Sequence, residues 1–335
     1  MFAKAVFIGS SARMSTDLKQ MIQNNPVSHA MDVVGEAWTM LILREAFRGA
    51  RRFDDWLERL AIARSVLARR LKTLTEAGLL ERRQYQARPP RDEYVLTAMG
   101  RDLYGVAIML ILWEQDWSPR ADPSRAIRLM ARDGSGPVEP VMAGENSKQP
   151  VRPGDLLPRP GPVPGRAPAP KEMRRRKVQP AMRASGKPVE LGIELFGDYW
   201  TNLVLAACFY RIRRYDDFLK NLDVSTSVLA DRLDGLVAHG ILTRKLYQKR
   251  PDRFEYVLTD MGRALYPTVL AFFAWGARWL CEDGKLPVEL VSQSTGEPVI
   301  PVLRNAHTGE PIDPRAVRPV PALSQRERAA LNAAQ

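Results

Sequence analysis

The sequence predicts an α+β protein, mainly α-helical, made of two tandem copies of one unit, each followed by a small β-ribbon-like appendage. Three observations predict it. The first is an internal repeat. Pro26-Val27 returns as Pro188-Val189, and Gly35-x-x-Trp38-Thr39 returns as Gly197-x-x-Trp200-Thr201. Arg51-Arg52-Phe53-Asp54-Asp55 returns as Arg213-Arg214-Tyr215-Asp216-Asp217, and Glu93-Tyr94-Val95-Leu96-Thr97 as Glu255-Tyr256-Val257-Leu258-Thr259. The offset stays at 162 residues with no gap and nearly half the positions identical, which marks a duplicated domain. The second is that, within each copy, apolar residues at helical spacing give way to two short strand-like runs. The third is size: 335 residues, 45% hydrophobic and 26% charged, can bury two real cores.

The elements follow in order. Trp38–Phe47 is an apolar-rich helix stopped by Gly49, and Asp54–Leu60 a short helix that Asp54 can cap. After a break at Ile62-Ala63-Arg64, Ser65 is an N-cap candidate for a helix to Ala77, closed by Gly78. Val66, Leu67, Leu71 and Leu74 form its apolar face. Leu79–Tyr85 and Asp92–Thr97 read as strands around the proline-containing loop Gln86–Arg91, and Ala98–Trp117 as one long C-terminal helix. Helix, short helix, turn, helix, two-stranded wing, helix is the order of a winged helix-turn-helix. The predicted organisation is an N-terminal extension 1–25, a winged domain 26–119, an appendage 120–157 and a Pro/Arg-rich linker 158–187. A second winged domain 188–281, an appendage 282–323 and a tail 324–335 complete it. The appendages rest on a weaker similarity at offset 161, Gly136-Pro137-Val138-x-Pro140-Val141 against Glu297-Pro298-Val299-x-Pro301-Val302.

Composition excludes several function classes. Two cysteines, Cys208 and Cys281, rule out a disulfide framework or a Cys-rich zinc site, and His29, His239 and His307 are too scattered for acid–base chemistry. No Ser/His/Asp or Cys/His set, phosphate loop or paired-carboxylate site stands out, so neither enzyme activity, a cofactor nor a metal is expected. No apolar run is long enough to span a membrane and no export signal is visible, so a cytoplasmic location is expected. The net charge of +12 is unevenly placed. Residues 26–119 hold 14 Lys and Arg against 13 Asp and Glu, and 188–281 hold 12 against 11, whereas 120–187 hold 15 against 6. The excess belongs to the connecting region, including Arg174-Arg175-Arg176-Lys177.

These residues carry a family resemblance. Pro26, Gly35–Thr39, Leu41–Arg44, Arg51–Leu57, Val66–Leu74, Ala77–Leu79 and Pro89–Arg101 form a spaced set that resembles the HxlR-type winged-helix transcription regulators, and it reappears at 188–263. The resemblance covers about half of the chain, twice over, and implies DNA-binding transcriptional control by a homodimer on a two-fold operator. Two departures matter. Many members carry a cysteine before the Pro-Val; Asn25 and Lys187 stand there, which counts against thiol sensing. And both copies sit on one polypeptide, so a single chain can imitate the dimer. Some relatives carry a Cys-based zinc ribbon where the appendages stand; these contain no cysteine, so no metal is expected.

A groove-reading helix needs polar residues at its start and off its apolar face. In the first copy these are Arg64, Ser65, Ala68, Arg69, Arg70 and Lys72. Wings need cations for phosphates: Arg82, Arg83, Arg88 and Arg91 in the first, Arg244, Lys245, Lys249, Arg250 and Arg253 in the second. The second helix offers Thr226, Ser227, Ala230 and Arg232, but Asp231 and Asp234 replace Arg69 and Lys72. The expected partner is double-stranded DNA at an operator, read asymmetrically, and the expected role is repression by an intrachain pseudo-dimer. The alternative is a protein-interaction module that has lost DNA reading in one or both copies. The operator, any effector and a further homodimer of the whole chain are not legible. Trp38 and Trp200 are expected in the core, Cys208 as an inert buried thiol, His29 and His239 at caps or the surface, and the two long C-terminal helices at the seam between copies.

Overall fold

A helical run over 18–23 precedes Asn25, which opens the helix that follows. The Asn25 side chain accepts from the Ser28 amide at 3.0 Å while Ser28 Oγ accepts from the Asn25 amide at 2.9 Å, a reciprocal cap that starts α1 (Pro26–Val34). The computed structural model describes residues 18–88, 90–164 and 189–322; the basic run Arg174–Lys177, Lys187 and the expected tail lie outside the described residues. After α1 come α2 (Ala37–Phe47), α3 (Phe53–Leu60), α4 (Arg64–Glu76), and the hairpin β1 (Leu80–Gln86) and β2 (Arg91–Leu96). Then come α5 (Ala98–Asp102) and α6 (Tyr104–Trp117), followed by β3 (Ile127–Ala131), β4 (Pro137–Val138), β5 (Pro140–Gly144) and β6 (Leu156–Pro160). The second copy supplies α7 (Leu191–Phe196), α8 (Tyr199–Phe209), α9 (Tyr215–Leu222), α10 (Thr226–Ala238), β7 (Leu242–Gln248) and β8 (Arg253–Leu258). It ends in α11 (Asp260–Arg263), α12 (Tyr266–Leu280), β9 (Val288–Ser292), β10 (Pro301–Asn305) and β11 (Val317–Pro321). The α+β class and the winged order in both copies match the expectation. Among the described residues no helix is long and apolar enough to cross a membrane.

Local details depart from the sequence reading. Ser65 lies inside α4, whose N-cap is Ala63; in the second copy Ser225 takes that position and its hydroxyl accepts from Val228. Asp55 rather than Asp54 secures α3, because its carboxylate reaches the Arg51 and Arg52 amides at 3.0 and 2.9 Å. Burial raises the Asp55 pKa, but those two amides together with the charges of Arg59 and Arg52 outweigh it and hold the carboxyl below its ordinary value. The expected single helix Ala98–Trp117 is two helices. A Cβ on Gly100 would sit 2.1 Å from the Leu79 carbonyl, so α5 is pinned against the root of β1, and the chain turns at buried Leu103 before α6.

In each copy one aromatic of the short helix fills the core. Trp56 is fully buried, donates from Nε1 to the Ile42 carbonyl at 3.0 Å and meets Tyr94 edge-on at 6.1 Å; Phe218 meets Tyr256 likewise at 6.4 Å. Trp38 is buried and Trp200 half-buried. Cys208 is buried, and burial pushes its thiol up to about 12, which leaves it inert. His29, expected at a cap or surface, is buried on the face that α1 turns inward.

The two copies meet through reciprocal contacts. Trp113 on α6 donates to the Met261 carbonyl at 3.0 Å, and its counterpart Trp275 on α12 donates to the Met99 carbonyl at 3.0 Å. The N-terminal helices cross over: α1 packs on α12 and α7 on α6. A Cβ on Gly276 would stand 2.1 Å from the Pro26 carbonyl, so only glycine admits α1 there. At the matching place on α6 Glu114 accepts from the Leu191 and Gly192 amides at 3.1 and 2.9 Å. The appendages are not two separate ribbons. β3 pairs with β11, β6 pairs with β9, and β5 pairs with β10, all antiparallel. In the last pair Met142 lies opposite Leu303, its own counterpart at offset 161, so the local two-fold axis passes between them. β6 also takes Pro158–Pro160, the first residues expected for the linker.

Two outcomes follow. Trp113→Phe and Trp275→Phe each strand a carbonyl at the seam and should lower the unfolding free energy in urea by similar amounts, about 1–2 kcal/mol. Asp55 contributes stability that is present above its unfolded pKa and lost as pH falls through its depressed folded value. Asp55→Asn keeps an acceptor but cannot titrate, so its stability should decline less steeply than wild type on acidification below about pH 4.

Candidate nucleic-acid interface

In α4 the residues Leu67, Leu71 and Leu74 face the core, which turns Arg64, Ser65, Ala68, Arg69 and Lys72 outward. Arg64 and Lys72 keep three-quarters of their side chains in solvent; Arg64 lies 3.5 Å from Asp54 and Lys72 3.8 Å from Glu76. Such exposed pairs hold little and release readily. Arg69 forms no ion pair among the described residues.

Arg70 does not belong to this surface. It is buried at 4% exposure and its Nη2 donates to Glu36 Oε1 at 2.6 Å. Three residues past Leu67, it lies on the apolar side of the helix, where a cation is tolerated only with a carboxylate beside it. Arg232 repeats the arrangement, donating from Nε and Nη2 to the two oxygens of Asp198 at 2.7 and 3.0 Å. Glu36 and Asp198 also accept from Thr39 and Thr201 as N-caps of α2 and α8. Both arginines, expected on DNA, therefore tie each recognition helix to the helix behind it.

The wings stand beside these helices. Arg82 is bonded to Asp92 across the first hairpin and Arg83 to its neighbour Glu81, while Arg88 and Arg91 are exposed at the turn. In the second hairpin Arg244 is bonded to Asp234 on α10, which shows that the wing root and the helix face adjoin. Lys245, Lys249, Arg250 and Arg253 are exposed. Thr226 and Ser227 are exposed at the start of α10, and Asp231 is bonded to Arg232.

Sequence reasoning missed the residues that brace the wings. Arg52 lies 4.7 Å over the Tyr85 ring and Arg214 4.6 Å over Tyr247, and each bridges through its backbone to the hairpin, at Glu93 and Glu255. Their recurrence was visible as Arg51-Arg52 and Arg213-Arg214, but only as part of the repeat.

Comparison with known proteins accords with this geometry. The profile of the HxlR-like helix-turn-helix family matches residues 33–122 and again 195–284. An uncharacterised HTH-type transcriptional regulator of Mycobacterium tuberculosis is 36% identical over 147 residues, covering 44% of this chain and 92% of the relative. Another, from Synechocystis, is 38% identical over 93 residues, 28% of this chain and 69% of that protein. A solved transcription-factor candidate from Pseudomonas aeruginosa is 32% identical, covers 43% of this chain and 99% of that chain, and superposes with a TM-score of 0.32.

Because Arg70 acts inside the domain, Arg70→Met should leave the half-buried Glu36 carboxylate without its cation, accepting only from Thr39. The expected cost is about 3 kcal/mol of stability in urea titration. The slope of log K against log salt on duplex DNA should stay unchanged, which separates this arginine from Arg69.

Proposed function

This chain belongs to the HxlR-like helix-turn-helix family, a family of transcriptional regulators, and on that premise we propose that it is a repressor that binds a double-stranded operator as an intrachain pseudo-dimer. The observation that carries the reading is the exposed face of α4, where Arg64, Arg69 and Lys72 stand clear of the core beside a wing ending in Arg88 and Arg91. Cations so placed meet guanine edges in the major groove and phosphates on either side of it. The match to the relative from Mycobacterium tuberculosis spans 147 residues, less than the 162-residue repeat, yet covers 92% of that protein, which supports reading the two repeats as the two halves of a dimer. Heads held by one seam would cover a turn or more of duplex between them, and a body lying there blocks access to it. The second head reads differently: Asp231 and Asp234 replace two of the three cations, so the operator is asymmetric, with α4 the principal reader.

A salt titration on duplex DNA tests this. Log K should fall steeply with log salt. Arg69→Ala combined with Lys72→Ala should weaken binding and reduce the slope by about 2, one for each phosphate left without its cation. Unchanged affinity and slope in that variant would overturn the assignment of α4.

A further inference from the structure

The two wings differ most at one cross-strand position. In the first hairpin Gln84 lies opposite Asp92; at the same register in the second, Leu246 lies opposite Phe254. Both apolar side chains are exposed, at 43% and 39%. A second difference is coupled to this one. Asp92 holds Arg82 within the first wing, but Phe254 cannot hold Arg244, which turns to Asp234 where the first copy has Lys72. The second wing is therefore tied at its root to its own helix, and both partners of that tie are neutralised. Asp231 leans on Arg232, whose charge Asp198 already meets, so it stays an exposed anion on the helix rather than on the wing. What this head offers outward is an apolar pair beside a hairpin end bearing Lys249, Arg250 and Arg253, with Lys245 on the opposite face of the strand; none of the four forms an ion pair among the described residues.

An apolar pair next to a turn that carries unpaired cations matches one surface closely. The floor of the DNA minor groove is sugar and base edge, flanked by two rows of phosphate, and apolar side chains pressed on it unstack base steps and bend the duplex. An apolar protein face would leave these cations uncompensated. We propose that the second wing binds the minor groove of duplex DNA through Leu246 and Phe254 and bends it, while α10 supports the wing and α4 does the reading. This rests on the reading of the chain as a duplex-DNA binder.

The test uses the full chain and a mixed-sequence duplex of about 30 base pairs carrying a dye at each end, followed by energy transfer. Wild type should shorten the end-to-end distance. Leu246→Gln with Phe254→Gln should abolish the bend and weaken binding about tenfold, with the salt slope unchanged, since these contacts release no counterions. Both positions are exposed, so the urea midpoint should not move; Phe254→Gln alone, with a smaller loss of bend, serves if the pair lowers it. Lys249→Gln with Arg250→Gln should instead reduce the salt slope by about 2. Binding without bending, or bend and affinity retained in the Leu246 and Phe254 variants, would overturn the proposal and leave the apolar pair as a face for a protein partner. Failure of wild type to bind any duplex would overturn the DNA reading itself, a different result from the same experiment.

Discussion

The helices α6 and α12 are too apolar to face water, and the rest of the molecule depends on the seam they form. Each carries an indole that hydrogen-bonds to a backbone carbonyl of the opposite copy, Trp113 to Met261 and Trp275 to Met99. Around that pair each copy lends its first helix to the other's last, and the appendages complete one another's sheets. Burial of apolar area supplies the bulk of the attraction, while the indole hydrogen bonds and the β5–β10 register fix the angle at which the heads stand. A winged head is small, and its position relative to its neighbour follows from what it is bolted to.

Inside each head a second constraint operates. Polar side chains of α4 and α10 face outward, yet one arginine in each points inward to a carboxylate that also caps the helix behind, Arg70 to Glu36 and Arg232 to Asp198. A buried pair of this kind contributes little net stability against an apolar substitute, but it fixes rotation about the helix axis and so decides which residues face out. The outer faces have then diverged: Arg64, Arg69 and Lys72 in one, Thr226, Asp231 and Asp234 in the other. The same interior supports a cationic outer helix face in one copy and an acidic one in the other.

Much of this was legible in the sequence. The constant offset gave the duplication, and glycines such as Gly78, at φ +74°, marked helix ends within a residue. Spacing also held the clue to Arg70, which falls between Leu67 and Leu71 on the buried stripe; its partner lies 34 residues away, beyond the reach of any local pattern. The strand exchange was illegible for a different reason. β6 and β11 resemble each other, so β3 could pair with either by sequence, and only the placement of the helices selects β11. The turn at Leu103 was hidden because continuous apolar content reads as one helix whether or not the chain bends.

Joining the halves also removes a restriction that symmetry imposes. In an assembly of identical subunits every substitution appears on both sides of the axis, so a change that suits one side must be endured by the other. Here Trp279 is anchored by Asp102 at 2.7 Å, whereas its counterpart Trp117 is 42% exposed and Ala264 stands at the position that matches Asp102. Glu114 and Gly276 have parted in the same way. Each flank has drifted on its own terms, and dilution cannot re-sort the partners, because the unlike halves are dispensed in equal number with every molecule made.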